Sequence, residues 1–146
     1  AGTPDLGNPA TVPESRLLEW VNEGAVEWLG HVGDMAALLQ TVDMMVLPSY
    51  REGLPKGLIE AAACGLPLVT TNVPGCREVV TDGVDGLLVP ARDAEALADA
   101  IGKLDDAPEL AARLGRAARA KALRMFDERI VVDSTIAVYD ELLDTP

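Results

Sequence analysis

The chain has 146 residues, of which 49% are hydrophobic but only two are Trp, two Tyr and one Phe, so it is sized for one domain with an aliphatic, Ala-rich core. Its 12 basic residues against 24 acidic ones give a net charge of −12, which argues against a nucleic-acid partner, because phosphate backbones need a basic footprint. No run is apolar enough for a membrane-spanning helix and no secretory signal pattern opens the sequence. Cys64 and Cys76 lie in different predicted elements without metal spacing, so free thiols in the cytoplasm are expected.

Residues 1–13, rich in Gly, Pro, Thr and Asn, read as loop. Residues 15–21 form a short amphipathic helix with Leu17, Leu18 and Val21 on one side, stopped at Gly24. Residues 25–30 alternate apolar with polar and predict a strand around Trp28, entering a glycine turn that carries His31 and Val32. Asp34 is placed to cap a helix over residues 35–41. Residues 43–47 show no alternation and predict a strand buried on both faces, as parallel strands are.

The most informative stretch follows: Arg51-Glu52-Gly53-Leu54-Pro55-Lys56-Gly57-Leu58-Ile59-Glu60, between the apolar strand and the helix formers of residues 61–64, closed by Gly65. A strand turns into a helix here, and in open α/β sheets ligands bind outside the carboxyl ends of strands. Pro55 suits a helix start, where its missing N–H is harmless. Glu52 then lies in the turn and Glu60 in the second helical turn, on a face shared with Lys56 and Gly57. Gly53 permits close approach of the backbone, and the helix start offers N–H groups and a positive dipole end suited to phosphate. Together these describe a site for a phosphorylated sugar. A plainer alternative pairs Glu60 with Lys56 on a solvated face and makes Glu52 a helix cap.

A second short strand at residues 68–71 leads into a loop over residues 72–75, then one or two helical turns from Arg77, ended at Asp82-Gly83. Residues 85–90 read as turn, strand and proline stop, and the rest is helical. Asp93 caps a helix carrying Leu97, Ala100, Ile101 and Leu104. Pro108 opens a longer one whose outer face holds Arg113, Arg116, Arg119, Lys121 and Arg124, read as solvated. A last helix runs through Ile130, Val138, Tyr139 and Leu143. The predicted fold is α/β: a Rossmann-like parallel sheet with flanking helices and an all-helical C-terminal segment, in a single domain.

The Glu52-to-Glu60 stretch resembles the Glu-x7-Glu motif of retaining glycosyltransferases of the GT-B fold, family 4, and residues 26–143 resemble that family's C-terminal, donor-binding domain. The resemblance implies that Glu52 is the catalytic-centre carboxylate on the donor sugar's hydroxyls. Gly53 and Leu54, just before Pro55, would present N–H groups to the sugar or distal phosphate, and Glu60 would accept from the ribose hydroxyls. His31 and Val32 would border the base, and Gly75 would line the sugar pocket by its backbone. Where the family often has a second glycine this chain has Cys76, which puts close backbone approach there in question. Glu78 matches a family glutamate, with helix capping as an equal reading.

The implied chemistry is transfer of a sugar from a UDP- or GDP-sugar with retention, with no cofactor and no required metal. The acceptor, a glycan or lipid-linked sugar, would be held by an N-terminal domain outside this chain, and peripheral membrane association of a longer protein stays open. The family's arginine–lysine pair has no counterpart before Val26, where Arg16 is the one basic residue. The chain is therefore expected to lack its first strand or two and to be inactive alone. Competing readings are a nucleotide-sugar-binding module without transfer and a GT-B epimerase or phosphorylase. A receiver-like domain is disfavoured because Asp43 begins its strand instead of ending it.

Overall fold

A computed structural model describes residues 1–5, 7 and 11–143, so the loop predicted over residues 6 and 8–10 lies outside the described residues. The chain divides into two compact units, residues 1–38 and 39–146.

In the first unit, α1 (Glu14–Asn22) starts at Pro13, whose carbonyl accepts from Arg16 and Leu17 N–H. Gly24, at φ 72°, lets the chain fold back so that Ala25 N–H reaches Trp20 O at 2.9 Å. The strand predicted around Trp28 does not form: residues 25–30 lie in no ladder. Its alternating pattern is real, but no described residue of this unit is buried, so no core face holds a strand in register. The segment is tied instead by Gly2 N–H to Gly30 O at 2.6 Å and by the Trp28 indole N–H to Gly2 O at 2.8 Å. Asp34 caps α2 (Met35–Leu39) as expected, accepting from Ala37 N–H at 2.9 Å.

The second unit is built on a three-stranded parallel sheet, β1 (Met45–Leu47), β2 (Leu68–Thr71) and β3 (Leu87–Val89), in that spatial order. All four residues of the central strand are buried, whereas β1 is only half-buried. The expectation that β1 is covered on both faces fails because it is an edge of the described sheet. Helix α3 (Lys56–Cys64) crosses from β1 to β2, and α4 (Pro74–Val79) from β2 to β3. Helix α4 begins at Pro74, earlier than predicted, because proline is preorganised for a first helical turn. Gly75 therefore belongs to a helix and not to a loop.

Side chains alternate across the sheet. Val69, Leu87 and Val89 pack on α5 (Ala94–Asp105) and on Leu114 of α6 (Pro108–Met125), forming the main core. On the opposite face Thr70 meets buried Cys76 of α4, with 3.1 Å between Oγ1 and Sγ. Helix α6 also lies against α3: a Cβ at Gly115 would stand 3.1 Å from the carbonyl carbon of Gly65, the left-handed cap of α3, and would strike its oxygen. The basic face of α6 is not uniformly solvated. Lys121 is largely buried, 3.5 Å from Asp85 and 3.1 Å from Thr81 Oγ1, and Arg119 donates to Ala63 O.

Helix α7 (Glu128–Leu143) buries no residue. Asp127 starts it, accepting from Arg129 N–H at 2.9 Å and pairing with that guanidinium at 2.6 Å. The side-chain hydrogen bond to Arg129 lowers the Asp127 pKa from 3.8 to about 2.

Gly115→Ala is expected to destabilise the chain by about 1–3 kcal/mol in urea unfolding through overpacking against Gly65. Gly102→Ala, in α5 with open space around it, should stabilise by about 0.5–1 kcal/mol. Because its folded pKa is depressed, Asp127 stabilises α7 above pH 3.8, and that contribution disappears as pH falls towards 2. A carboxyl NMR titration should place the Asp127 midpoint near 2, and Arg129→Gln should return it towards 3.8.

Candidate functional site

At the carboxyl end of β1 the chain leaves the sheet through Pro48 and Ser49 and turns over residues 50–55 into α3. Two hydroxyls fasten this turn. Thr71, buried at the end of β2, donates from Oγ1 to Ser49 O, and Ser49 Oγ donates to Glu52 Oε1 at 2.5 Å. The latter length is that of a charge-assisted O–H···O⁻ bond. It holds the half-buried Glu52 carboxylate in one orientation at the sheet's carboxyl edge. One residue earlier on β2, Thr70 Oγ1 donates to Leu47 O at 2.7 Å.

A third constraint is backbone on backbone. A Cβ at Gly75 would stand 2.6 Å from Glu52 O and 2.7 Å from the carbonyl carbon of Gly53. The first turn of α4 thus rests on the turn itself, and only a residue without a side chain fits. The backbone of Gly75 thus supports Glu52 and Gly53. The replacement at Cys76 is equally clear, since that side chain is fully buried beneath the site against Thr70. Close approach is needed at position 75 and not at 76.

Pro55 is the buried N-cap of α3, at φ −73° and ψ 101°, and its carbonyl accepts from Leu58 N–H at 3.1 Å and Ile59 N–H at 3.3 Å. The N–H groups of Lys56 and Gly57 precede that first bond, and no side chain caps them. Glu52 is therefore no helix cap. Among the described residues Glu60 forms no ion pair with Lys56 either. Both plain readings of the two glutamates give way. Exposed Glu60 and Lys56 instead line, with Leu54 and Ile59, a groove of about 700 Å³ closed on its other side by Met125, Phe126, Glu128 and Val131. Gly53 is exposed, with open space where a Cβ would stand, and Leu54 is 52% exposed.

A second cavity, of about 340 Å³, opens on the other flank of the turn, between Pro48, Tyr50, Thr71, Pro90, Arg92 and Leu97. The Arg92 guanidinium lies 5.3 Å from the centre of the Tyr50 ring. His31 is exposed and Val32 half-buried within the first unit. Glu78 is exposed near the end of α4 and caps nothing, because α4 has no side-chain cap. Sequence reasoning missed Ser49, Thr71 and Arg92. The serine three residues before Glu52 was a readable signal, while the other two depend on which loops the sheet brings together.

A parallel sheet with its helices on both faces, and a glutamate-bearing turn at its carboxyl edge, defines a Rossmann-like α/β domain. Residues 6–106 match the family described as "Glycosyl transferases group 1", and the chain belongs to that family. It is 37% identical over 131 residues, 90% of its own length, to the N,N'-diacetylbacillosaminyl-diphospho-undecaprenol alpha-1,3-N-acetylgalactosaminyltransferase of Campylobacter jejuni. It is 39% identical over 117 residues, 79% of its length, to glycogen synthase of Mycobacterium tuberculosis. The chain spans only 35% and 28% of those two proteins. Among solved structures, sucrose-phosphate synthase of Thermosynechococcus elongatus aligns over 98% of this chain and 37% of its own, with TM-score 0.85 and 28% identity. HepE of Anabaena, solved in complex with UDP-glucose, aligns over 87% of this chain and 36% of its own, with TM-score 0.78 and 26% identity.

Gly75→Ala is expected to push α4 off the turn and destabilise the chain by about 1–3 kcal/mol in urea unfolding. Chemical shifts should change at Glu52 and Gly53 in the same variant. Unchanged stability and shifts would mean that the contact is not a constraint.

Proposed function

We propose that this chain is the donor-binding domain of a retaining glycosyltransferase and takes a nucleotide-diphosphate sugar, UDP- or GDP-linked, as substrate, with no cofactor and no required metal. The observation that carries the reading is the geometry around Glu52 and Glu60. One carboxylate is fixed by Ser49 at the turn, and the other is free of Lys56 in the adjoining groove. Between them lies the uncapped start of α3. A diphosphate is favoured at that helix start by its N–H groups and dipole, with Lys56 adding charge. Glu60, one helical turn on, is placed for the ribose hydroxyls, and Glu52 for those of the sugar. The preorganised N–H groups and Lys56 would stabilise the diphosphate as it leaves. HepE, which shares this fold and was solved with UDP-glucose, supports the same ligand class.

The acceptor, a glycan or lipid-linked sugar, would be held by a further, N-terminal domain, in keeping with the third of its relatives' length that the chain spans. Base contact by His31 and Val32 belongs to the same proposal, as do the Glu-x7-Glu assignment to family 4 and a cytoplasmic setting.

The test is an amide-shift titration of the chain with UDP, GDP, ADP, UDP-glucose and GDP-mannose. Saturable shifts are expected at Gly53, Leu54, Lys56 and Glu60, and Glu60→Gln should weaken binding about tenfold. Gly53→Ala separates binding from folding. Its Cβ meets nothing and its φ is not in the left-handed region, so the melting temperature should hold while nucleotide-sugar affinity drops. A chain indifferent to every nucleotide would sink the reading. Transfer of radiolabelled sugar by the chain alone would sink the need for a further domain.

A further inference from the structure

Arg92 is the one non-glycine residue among those described with a left-handed backbone, at φ 65°. Only residues 90–92 join β3 to Asp93, the cap of α5, and the last of them takes the left-handed conformation. Glycine or asparagine adopts that conformation at little cost, whereas a long side chain there is strained and persists where the surroundings hold it. Charge does not hold it here: in an acidic chain Arg92 makes no ion pair among the described residues. Its guanidinium carbon stands 5.3 Å from the centre of the Tyr50 ring, within the range of a cation–π contact.

Tyr50 opens the turn that carries Glu52. The Ser49 carbonyl and the Tyr50 N–H belong to one rigid peptide unit. Thr71, at the end of β2, donates to that carbonyl, and Ser49 Oγ donates to Glu52 Oε1 at 2.5 Å. The carboxyl ends of β2 and β3 therefore fasten adjacent residues of the turn, one by a hydrogen bond at Ser49 and the other by a guanidinium over Tyr50. Arg92 and Tyr50 share no lining with the groove of Leu54, Lys56 and Glu60 assigned above to the donor. The turn is what connects the two.

We propose that Arg92 is a positioning residue for the donor site: its guanidinium latches Tyr50 to the loop between β3 and α5 and so holds the start of the Glu52 turn, with no contact to the donor. The proposal deepens the donor reading and rests on it, because it takes Glu52 as the carboxylate that meets the sugar's hydroxyls. Loss of the latch then weakens recognition of the sugar and spares that of the nucleotide.

The first readout is the chain without nucleotide. Arg92→Gly removes the guanidinium and relieves the backbone, since glycine adopts φ 65° freely, so the melting temperature should not fall. Amide shifts should nonetheless move at Glu52 and Gly53, beyond Tyr50 in the turn, with lower order parameters there. The second readout is the ratio of affinities for UDP-glucose and UDP, or for GDP-mannose and GDP, whichever pair binds. Both partners of the stack are exposed, so its loss should cut that ratio about two- to fivefold and leave the affinity for the nucleoside diphosphate unchanged. Tyr50→Leu keeps the positive charge and removes the ring. It should give the same loss, and the double variant should lose no more than either alone. Arg92→Lys keeps a cation for the ring and should retain most of the ratio. Unmoved shifts at Glu52 and Gly53 in Arg92→Gly overturn the latch whatever the chain binds. An unchanged ratio, an equal weakening of UDP, or additive losses in the double variant overturn the positioning role and leave the donor reading standing. A chain that binds no nucleotide overturns the donor reading and the positioning role together.

Discussion

Gly75 meets Glu52 and Gly53 with nothing between them but backbone, and the carboxyl edge of the sheet takes its shape from that contact. Helix α4 cannot slide along β2 without striking the carbonyls of the turn. The turn cannot relax without losing Thr71 at Ser49 O and Ser49 at Glu52. Glu52 is thereby oriented by groups from β2 and α4 as well as by its own segment. A carboxylate fixed through a rigid frame can discriminate hydroxyl positions, which a carboxylate on a free loop cannot.

The sheet was legible because its three strands are short apolar runs, each followed by turn residues, and such runs with intervening helices admit few topologies. The decade from Arg51 to Glu60 was legible for a different reason: proline, glycines and two glutamates at that spacing follow a strand directly. The Trp28 segment misled because alternation predicts a strand only where a core face exists to select one register, and the first unit has no buried residue. The groups that fasten the turn were illegible for a third reason. Thr70 and Thr71 are β-branched and pass for ordinary strand residues, and nothing in the sequence says which loop each hydroxyl will meet.

Charge is arranged against the overall acidity. Lys121 is used internally, shielded between Asp85 and Thr81, and Arg119 closes the end of α3. Lys56 and Arg92 are left on opposite flanks of the turn, each beside a cavity and neither in an ion pair among the described residues. In a chain of net charge −12, an unpaired Lys56 beside the start of α3 concentrates positive potential where the proposed diphosphate would sit.

The glycine contact also separates what the turn is from what it displays. Its path is encoded elsewhere, at Gly75 and Thr71, while the Cβ direction of Gly53 and the side chain of Leu54 are open to solvent. The ten residues from Arg51 to Glu60 are therefore not a portable cassette: grafted onto a scaffold lacking the bare Cα and the hydroxyl beneath them, they would keep their letters and lose their shape. The outward positions, by contrast, are free to vary on a constant chassis, so related domains can diverge in the ligand they read without renegotiating the fold that holds it.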